Sequence, residues 1–140
     1  MRVVGYVCEF PAVASAEPAF AQWEQIRRWV DDRGELLIAV CQDDAAPRTG
    51  DRVAGLRAVL ALLDCGAADT VVVASIAALG SDPADQEVAL WEMRRRGGTV
   101  RCTDPADQAL LDGDDATGER KAMRRLLETA EATRQSLNNA

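Results

Sequence analysis

The sequence contains no histidine. That absence removes Ser-His-Asp and Cys-His catalysis, histidine-ligated zinc and any imidazole proton shuttle, leaving carboxylates, arginines, tyrosine and thiols as the titratable chemistry. Lys121 is the only lysine among sixteen basic residues, so a phosphate-loop or Schiff-base lysine has one candidate, close to the C-terminus. Aromatic residues make up only 4%. No segment approaches the roughly 18 uninterrupted apolar residues of a spanning helix. Met1-Arg2 and the short apolar run after it lack the length and cleavage site of a secretory signal. The expectation is a cytoplasmic chain with no membrane association. Four cysteines, Cys8, Cys41, Cys65 and Cys102, stand 33, 24 and 37 residues apart. Without a CxxC pair this spacing gives no zinc or redox site, and neither a metal nor a cofactor is expected. A net charge of −7 opposes sequence-independent binding to nucleic acid.

What is present fits one globular domain: 140 residues, 48% apolar and 28% charged. Val3–Cys8, Leu36–Cys41 and Thr70–Ala74 are continuous apolar runs, with a weaker one at Thr99–Cys102. Unalternating, β-branched runs suit strands covered on both faces. Between them lie helical patterns. Pro18 to Arg33 carries Phe20, Trp23, Ile26 and Val30 as an apolar stripe before Gly34; Arg52 to Cys65 carries Leu56, Val59, Leu60 and Leu63 before Gly66. Asp82-Pro83 reads as an N-cap and first helical proline, with Val88 and Trp91 inward and Gly97-Gly98 as the stop. Trp23, Trp29 and Trp91 read as core or interface fillers, and Arg94-Arg95-Arg96 as a last-turn complement to the helix dipole.

The alternation predicts an α/β fold, a mainly parallel four- or five-stranded sheet with helices on both faces and the first strand central. Asp112 to Asp115 is a polar break and reads as a loop. Beyond it Glu119 to Leu137 predicts one helix about 28 Å long. The organisation expected is a unit over residues 1–111 followed by a loop and long dimerisation helix over 112–140. Met123, Leu126, Leu127, Ala130 and Leu137 form the apolar stripe through which that helix is expected to self-associate.

Ligands of parallel sheets gather at the carboxyl ends of strands. The loop Glu9 to Ser15 has no glycine, so the GxGxxG dinucleotide fingerprint fails, and no GxxxxGK[ST] exists. A phosphoacceptor aspartate at the end of the third strand is absent too, since Ser75-Ile76 stand there.

Taken in order from Val3 to Gln135, Gly5-Tyr6 in the first strand, Gln22 in the first helix, Asp43 after the second strand, Asp51-Arg52 before Gly55-Leu56, and Ala130-Glu131 with Arg134 in the last helix form a pattern that resembles the catalytic domain of serine recombinases, the resolvase/invertase family. Gly5-Tyr6-Val7-Cys8-Glu9-Phe10 stands where that family ends its first strand Gly-Tyr-x-Arg-Val-Ser. Gln22 matches a glutamine of the first helix, and Asp43 the acidic residue after the second strand. Asp51-Arg52-Val53-Ala54-Gly55-Leu56 resembles the next helix start. Ala130-Glu131-Ala132-Thr133-Arg134 resembles the family's long dimerisation helix. The resemblance implies a serine that attacks a DNA phosphodiester while arginines stabilise the charge on the phosphoryl group. Here Phe10 takes the serine's place, Cys8 that of an arginine, and Ala77, Ala78 and Ser81 those of the Asp, Arg and Arg after the third strand. One lost donor costs about 3–4 kcal/mol of transition-state stabilisation, so these losses together predict a catalytically inactive member. Gln22, Asp43 and Arg52 are the retained family positions.

Since the sequence ends at Ala140, just past the long helix, the family's helix-turn-helix domain is expected to be missing and sequence-specific DNA binding is not expected. The leading expectation is a homodimer, through the C-terminal helix, serving as a regulatory or protein-interaction module with a possible protein partner. The alternatives are a nuclease with a relocated nucleophile, Ser15 or Cys8, aided by Arg48 or Arg52, and a DNA-binding recombination accessory factor using Arg94–Arg96 and Arg120–Arg125.

Overall fold

The computed structural model describes residues 1–10, 17–44, 53–113 and 118–139. Four strands, β1 (Arg2–Glu9), β2 (Leu36–Asp44), β3 (Thr70–Val73) and β4 (Thr99–Cys102), form one sheet in the order β2-β1-β3-β4. Every pairing is parallel. The first strand is central, as its unbroken apolar run requires: Val3, Val4, Tyr6, Val7 and Cys8 are all buried. The edge strands differ. On β4, Thr99 and Arg101 are exposed while Val100 and Cys102 are buried, so only one of its faces is covered. β2 carries a register shift opposite Val3/Val4, and its Leu36 and Ile38 are exposed at the sheet's edge.

Helices cover both faces. α1 (Ala19–Arg33) lays Ile26 and Val30 against Val3, Val7 and Val72. On the opposite face α2 (Val53–Asp64) and α3 (Pro83–Arg94) bring Val59, Leu63, Ala89, Leu90 and Met93 onto Val4, Tyr6, Val71 and Val73. Each such buried Val or Leu contributes about 1.5–3 kcal/mol, which makes this the larger of the two cores. α1 stops at Gly34, which adopts a left-handed conformation, and Asp82 caps α3 by accepting from the Asp85 N–H at 2.9 Å.

Three expectations are corrected. Phe20 is 77% and Trp23 41% exposed. The inward stripe of α1 is instead Gln22, Ile26 and Val30, because the Gln22 amide is needed at the end of β1. Val88 likewise points outward, and α3 buries Gln86 and Glu87 beside Ala89, Leu90 and Met93. Asp112 is not in a loop: it ends an eight-residue helix, α4 (Pro105–Asp112), that opens on Asp104-Pro105. Asp114 and Asp115 lie outside the described residues.

The long helix α5 (Gly118–Asn138) matches the expected span. Its first half docks on α3. Arg120 and Arg124 both reach the buried Glu87 carboxylate, at 2.9 and 2.7 Å, and Arg120 also donates to Gln86 at 2.6 Å. Among the described residues no helix is long and apolar enough to cross a membrane.

Candidate functional site at the carboxyl edge of the sheet

The loops that leave the four strands bring together the positions singled out by the sequence, and each also contributes a carboxylate. Glu9 ends β1, Asp43 and Asp44 end β2, Asp82 follows β3 and its 3₁₀ turn, and Asp104 follows β4. Most of these groups are already engaged by backbone. Glu9 accepts from the Ala19 N–H at the start of α1 at 3.4 Å. Asp104 accepts from Ala106 and Asp107, and Asp107 in turn accepts from the Ile76 N–H at 2.9 Å.

Asp43 is the most committed of them. Its buried carboxylate accepts from Gly55 N–H at 2.6 Å, Leu56 N–H at 2.8 Å and the Tyr6 hydroxyl at 2.8 Å. It thereby caps the first turn of α2 and anchors that helix to β1 and β2. The approach is close enough to demand glycine: a Cβ on Gly55 would lie 2.7 Å from the Gln42 carbonyl oxygen and 2.9 Å from the Asp43 carboxyl carbon. Burial pushes the Tyr6 hydroxyl well above its ordinary range, with the neighbouring Cys8 and Asp43 adding to the shift, so Tyr6 stays a proton donor.

Gln22 is equally structural. Its amide nitrogen donates to the Cys8 and Glu17 carbonyls at 2.8 and 2.9 Å, and its oxygen accepts from the Cys8 N–H at 3.2 Å. One side chain thus satisfies the end of β1 and ties it to the approach to α1. Of the retained family positions, Gln22 and Asp43 are parts of the scaffold; Arg52 lies outside the described residues.

The positions that the resemblance reads as degenerate lie at the ends of β1 and β3. Cys8 is 1% exposed, so its thiol presents no surface to a polynucleotide. Phe10, half-buried, packs against the larger of the two cores, the one that holds Tyr6 and Leu79. After β3 a 3₁₀ turn, Ile76–Leu79, exposes Ala77 and buries Ala78, with Ser81 exposed beyond it. The turn is pinned by the Gln86 amide, which donates to the Gly80 carbonyl at 2.9 Å, and a Cβ on Gly80 would come within 2.7 Å of Asp85 Cβ. Ser15 and Arg48 lie outside the described residues.

The thiols do not converge into one site. Cys41 pairs with Tyr6 and Cys102 with Val73, which puts these two at opposite edges of the sheet. Burial raises both their pKa values, that of Cys102 to about 12, which keeps it protonated and unreactive. Cys65 is exposed at the end of α2. Among the described residues no three Cys, Asp or Glu side chains are grouped to hold a metal ion.

The arginine runs are also divided. Arg94 donates to the Leu111 carbonyl at 2.7 Å, Arg95 lies 4.6 Å over the Trp91 ring, and Arg96 pairs with Glu92 and Asp64. On α5, Arg120 and Arg124 turn inward to Glu87, leaving Lys121 and Arg125 exposed. Neither run forms a single basic patch. Sequence reasoning missed the Glu87 network. Only the burial of its acidic member was signalled locally, since Gln86 and Glu87 fall one helical turn before Leu90, which α3 buries.

The sequence model of the family "Resolvase, N terminal domain" matches residues 15–138, a stretch that begins after β1. No curated protein matches the chain. The fold is similar to the C-terminal catalytic domain of ISC1926 TnpA, an IS607-like serine recombinase, with a TM-score of 0.61 at 17% identity over 98% of this chain and 83% of that one. It is similar to the N-terminal catalytic domain of TP901-1 integrase, with a TM-score of 0.61 at 13% identity over 98% of both chains. A resolvase family site-specific recombinase from Streptococcus pneumoniae gives 0.58 at 17% identity over 99% of this chain and 91% of that one.

Proposed function

Because the chain belongs to the resolvase N-terminal domain family, we propose that it acts in the cytoplasm as a non-catalytic, dimerising member, a regulatory or protein-interaction module that retains the recombinase scaffold without its chemistry. One observation carries the reading. In the loop after β3, the three positions where the resemblance places an aspartate and two arginines hold Ala78, buried in the core, and Ala77 and Ser81, exposed. A phosphoryl transfer needs preorganised cations at the oxygens that gain charge. On that reading the strand ends supply carboxylates instead, which repel a phosphodiester, and Phe10 supplies a ring with no nucleophilic atom.

The test is incubation with supercoiled plasmid, followed by denaturing electrophoresis to trap covalent protein-DNA adducts. The expected outcome is neither nicking nor adduct, for the native chain and for Phe10→Ser alike, since the variant restores a hydroxyl but no arginine. An adduct that disappears in Ser15→Ala or Cys8→Ala would overturn the proposal in favour of a relocated nucleophile. Salt-sensitive retardation of DNA without cleavage would overturn it in favour of an accessory DNA-binding role.

A further inference from the structure

We propose that the cleft between α3, α4 and α5 is a binding site for a small organic anion, an oxyanion carried on an apolar body. The cleft encloses about 420 Å³, within the roughly 300–1,000 Å³ of small-molecule pockets. It lies away from the carboxyl edge of the sheet, and the proposal is independent of whether that edge is catalytic.

Its walls are of two kinds. Leu90, Trp91, Leu111 and Leu127 are apolar, whereas Arg94 and Arg124 bring two guanidiniums into the same space. Arg124 spends its Nε and one Nη on Glu87, and that same Nη also donates to the Leu110 carbonyl at 2.7 Å. Arg94 donates from one Nη to the Leu111 carbonyl and otherwise faces the solvent of the cleft. Partial desolvation and the neighbouring Arg124 charge lower the Arg94 pKa, while Glu87 and Asp112 oppose the shift.

Across the lining two guanidiniums face three carboxylates, so the oxyanion is selected by the donors that Arg94 keeps beyond its bond to Leu111 and not by net charge. Arg120 and Arg124 both pair with the single buried carboxylate of Glu87, and Arg94 has that same carboxylate as its inner counter-charge. Glu128 and Asp112, the remaining acidic wall residues, are exposed at the rim. An oxyanion seated between Arg94 and Arg124 relieves their mutual repulsion through charge-assisted hydrogen bonds, and an apolar body displaces water from the partly exposed Trp91 and Leu127. Since the three walls come from three helices, an occupant would also tie α5 to the body of the domain.

Calorimetric titration of the full chain with phenyl phosphate tests this, with inorganic phosphate and benzyl alcohol as single-feature probes. The expected result is saturable one-to-one binding of phenyl phosphate, at least about tenfold tighter than either probe, and slower amide exchange in the first turns of α5 when it is bound. Arg94→Ala should weaken binding about tenfold. Because that change also removes the bond to Leu111, Leu127→Trp provides a second arm: it fills the cleft, leaves both arginines in place and should abolish binding. The proposal is overturned if phenyl phosphate does not saturate, if inorganic phosphate binds as tightly, or if either variant, folded by circular dichroism, binds as the native chain does.

Discussion

At Asp43 one carboxylate serves Tyr6, Gly55 and Leu56 together, and at Gln22 one amide closes the end of β1. Residues that a recombinase-like reading would count as part of a site are here consumed by the backbone. The same residue-scale logic gives a pH dependence. Burial raises the Cys102 thiol from an ordinary 9.0 to about 12, so the folded chain keeps a proton that the unfolded chain loses above pH 9. Stability linked to that proton is complete below pH 9 and falls away as the pH rises toward 12. Cys41, raised from the same ordinary value, and Tyr6, raised from 10.0, act in the same direction. The urea midpoint should therefore stay level up to about pH 9 and decline beyond it. Cys102→Ala should make the first part of that decline shallower. An unchanged slope in the variant would assign the alkaline instability elsewhere.

Among the elements, those set by strong local signals were legible and those set by tertiary partners were not. The continuous run of Val3 to Cys8 announced a central strand because only a strand buried on both faces tolerates it. Asp82-Pro83 announced α3 through its cap. Asp104-Pro105 carries the same signal, yet α4 escaped notice: it is eight residues long, follows a four-residue strand and ends in the acidic stretch that reads as loop. Phe20 and Trp23 misled because hydrophobicity says which residues prefer burial, not which face the sheet will meet. Gln22 occupies the inward position through its hydrogen bonds. The docking of α5 on α3 depends on Glu87, Arg120 and Arg124, a set no local window joins. Removing the carboxylate leaves two largely buried guanidiniums without their counter-charge, a loss of about 3–5 kcal/mol for a fully buried pair and toward the lower figure here, since Arg124 is partly exposed. Glu87→Gln should lower the unfolding free energy by about 3 kcal/mol and accelerate amide exchange in the first half of α5 ahead of the sheet. Uniform acceleration in sheet and helix would mean that α5 has no separate latch.

On the scale of the whole molecule, the distal half of α5 is a part that the described residues leave largely uncovered. Of the five stripe residues, Met123 and Leu127 are half-buried, whereas Leu126 is 62% and Leu137 72% exposed and Ala130 is exposed as well. At 100° per residue Leu126, Ala130 and Leu137 share one side of the helix, about a third of a turn round from the side that carries Arg120 and Arg124 to α3. A helix of fewer than about 12–15 residues is marginal in water without tertiary cover, and beyond Leu127 the support among the described residues is slight: Glu131 pairs with Arg134 and feels the Arg95 charge at the end of α3. A second copy laid along that side would bury the two leucines and supply the cover, each leucine contributing about 1.5–3 kcal/mol. Leu126→Glu with Leu137→Glu is the informative pair, because Leu127 also lines the cleft beside α3 and its loss would disturb the chain's own packing. Light scattering should give a dimer for the native chain and a mass of 15.1 kDa for the double variant, with the circular dichroism of the sheet and first helices retained. A native chain already monomeric at high concentration, or a double variant that keeps the dimer mass, would move the association away from this helix.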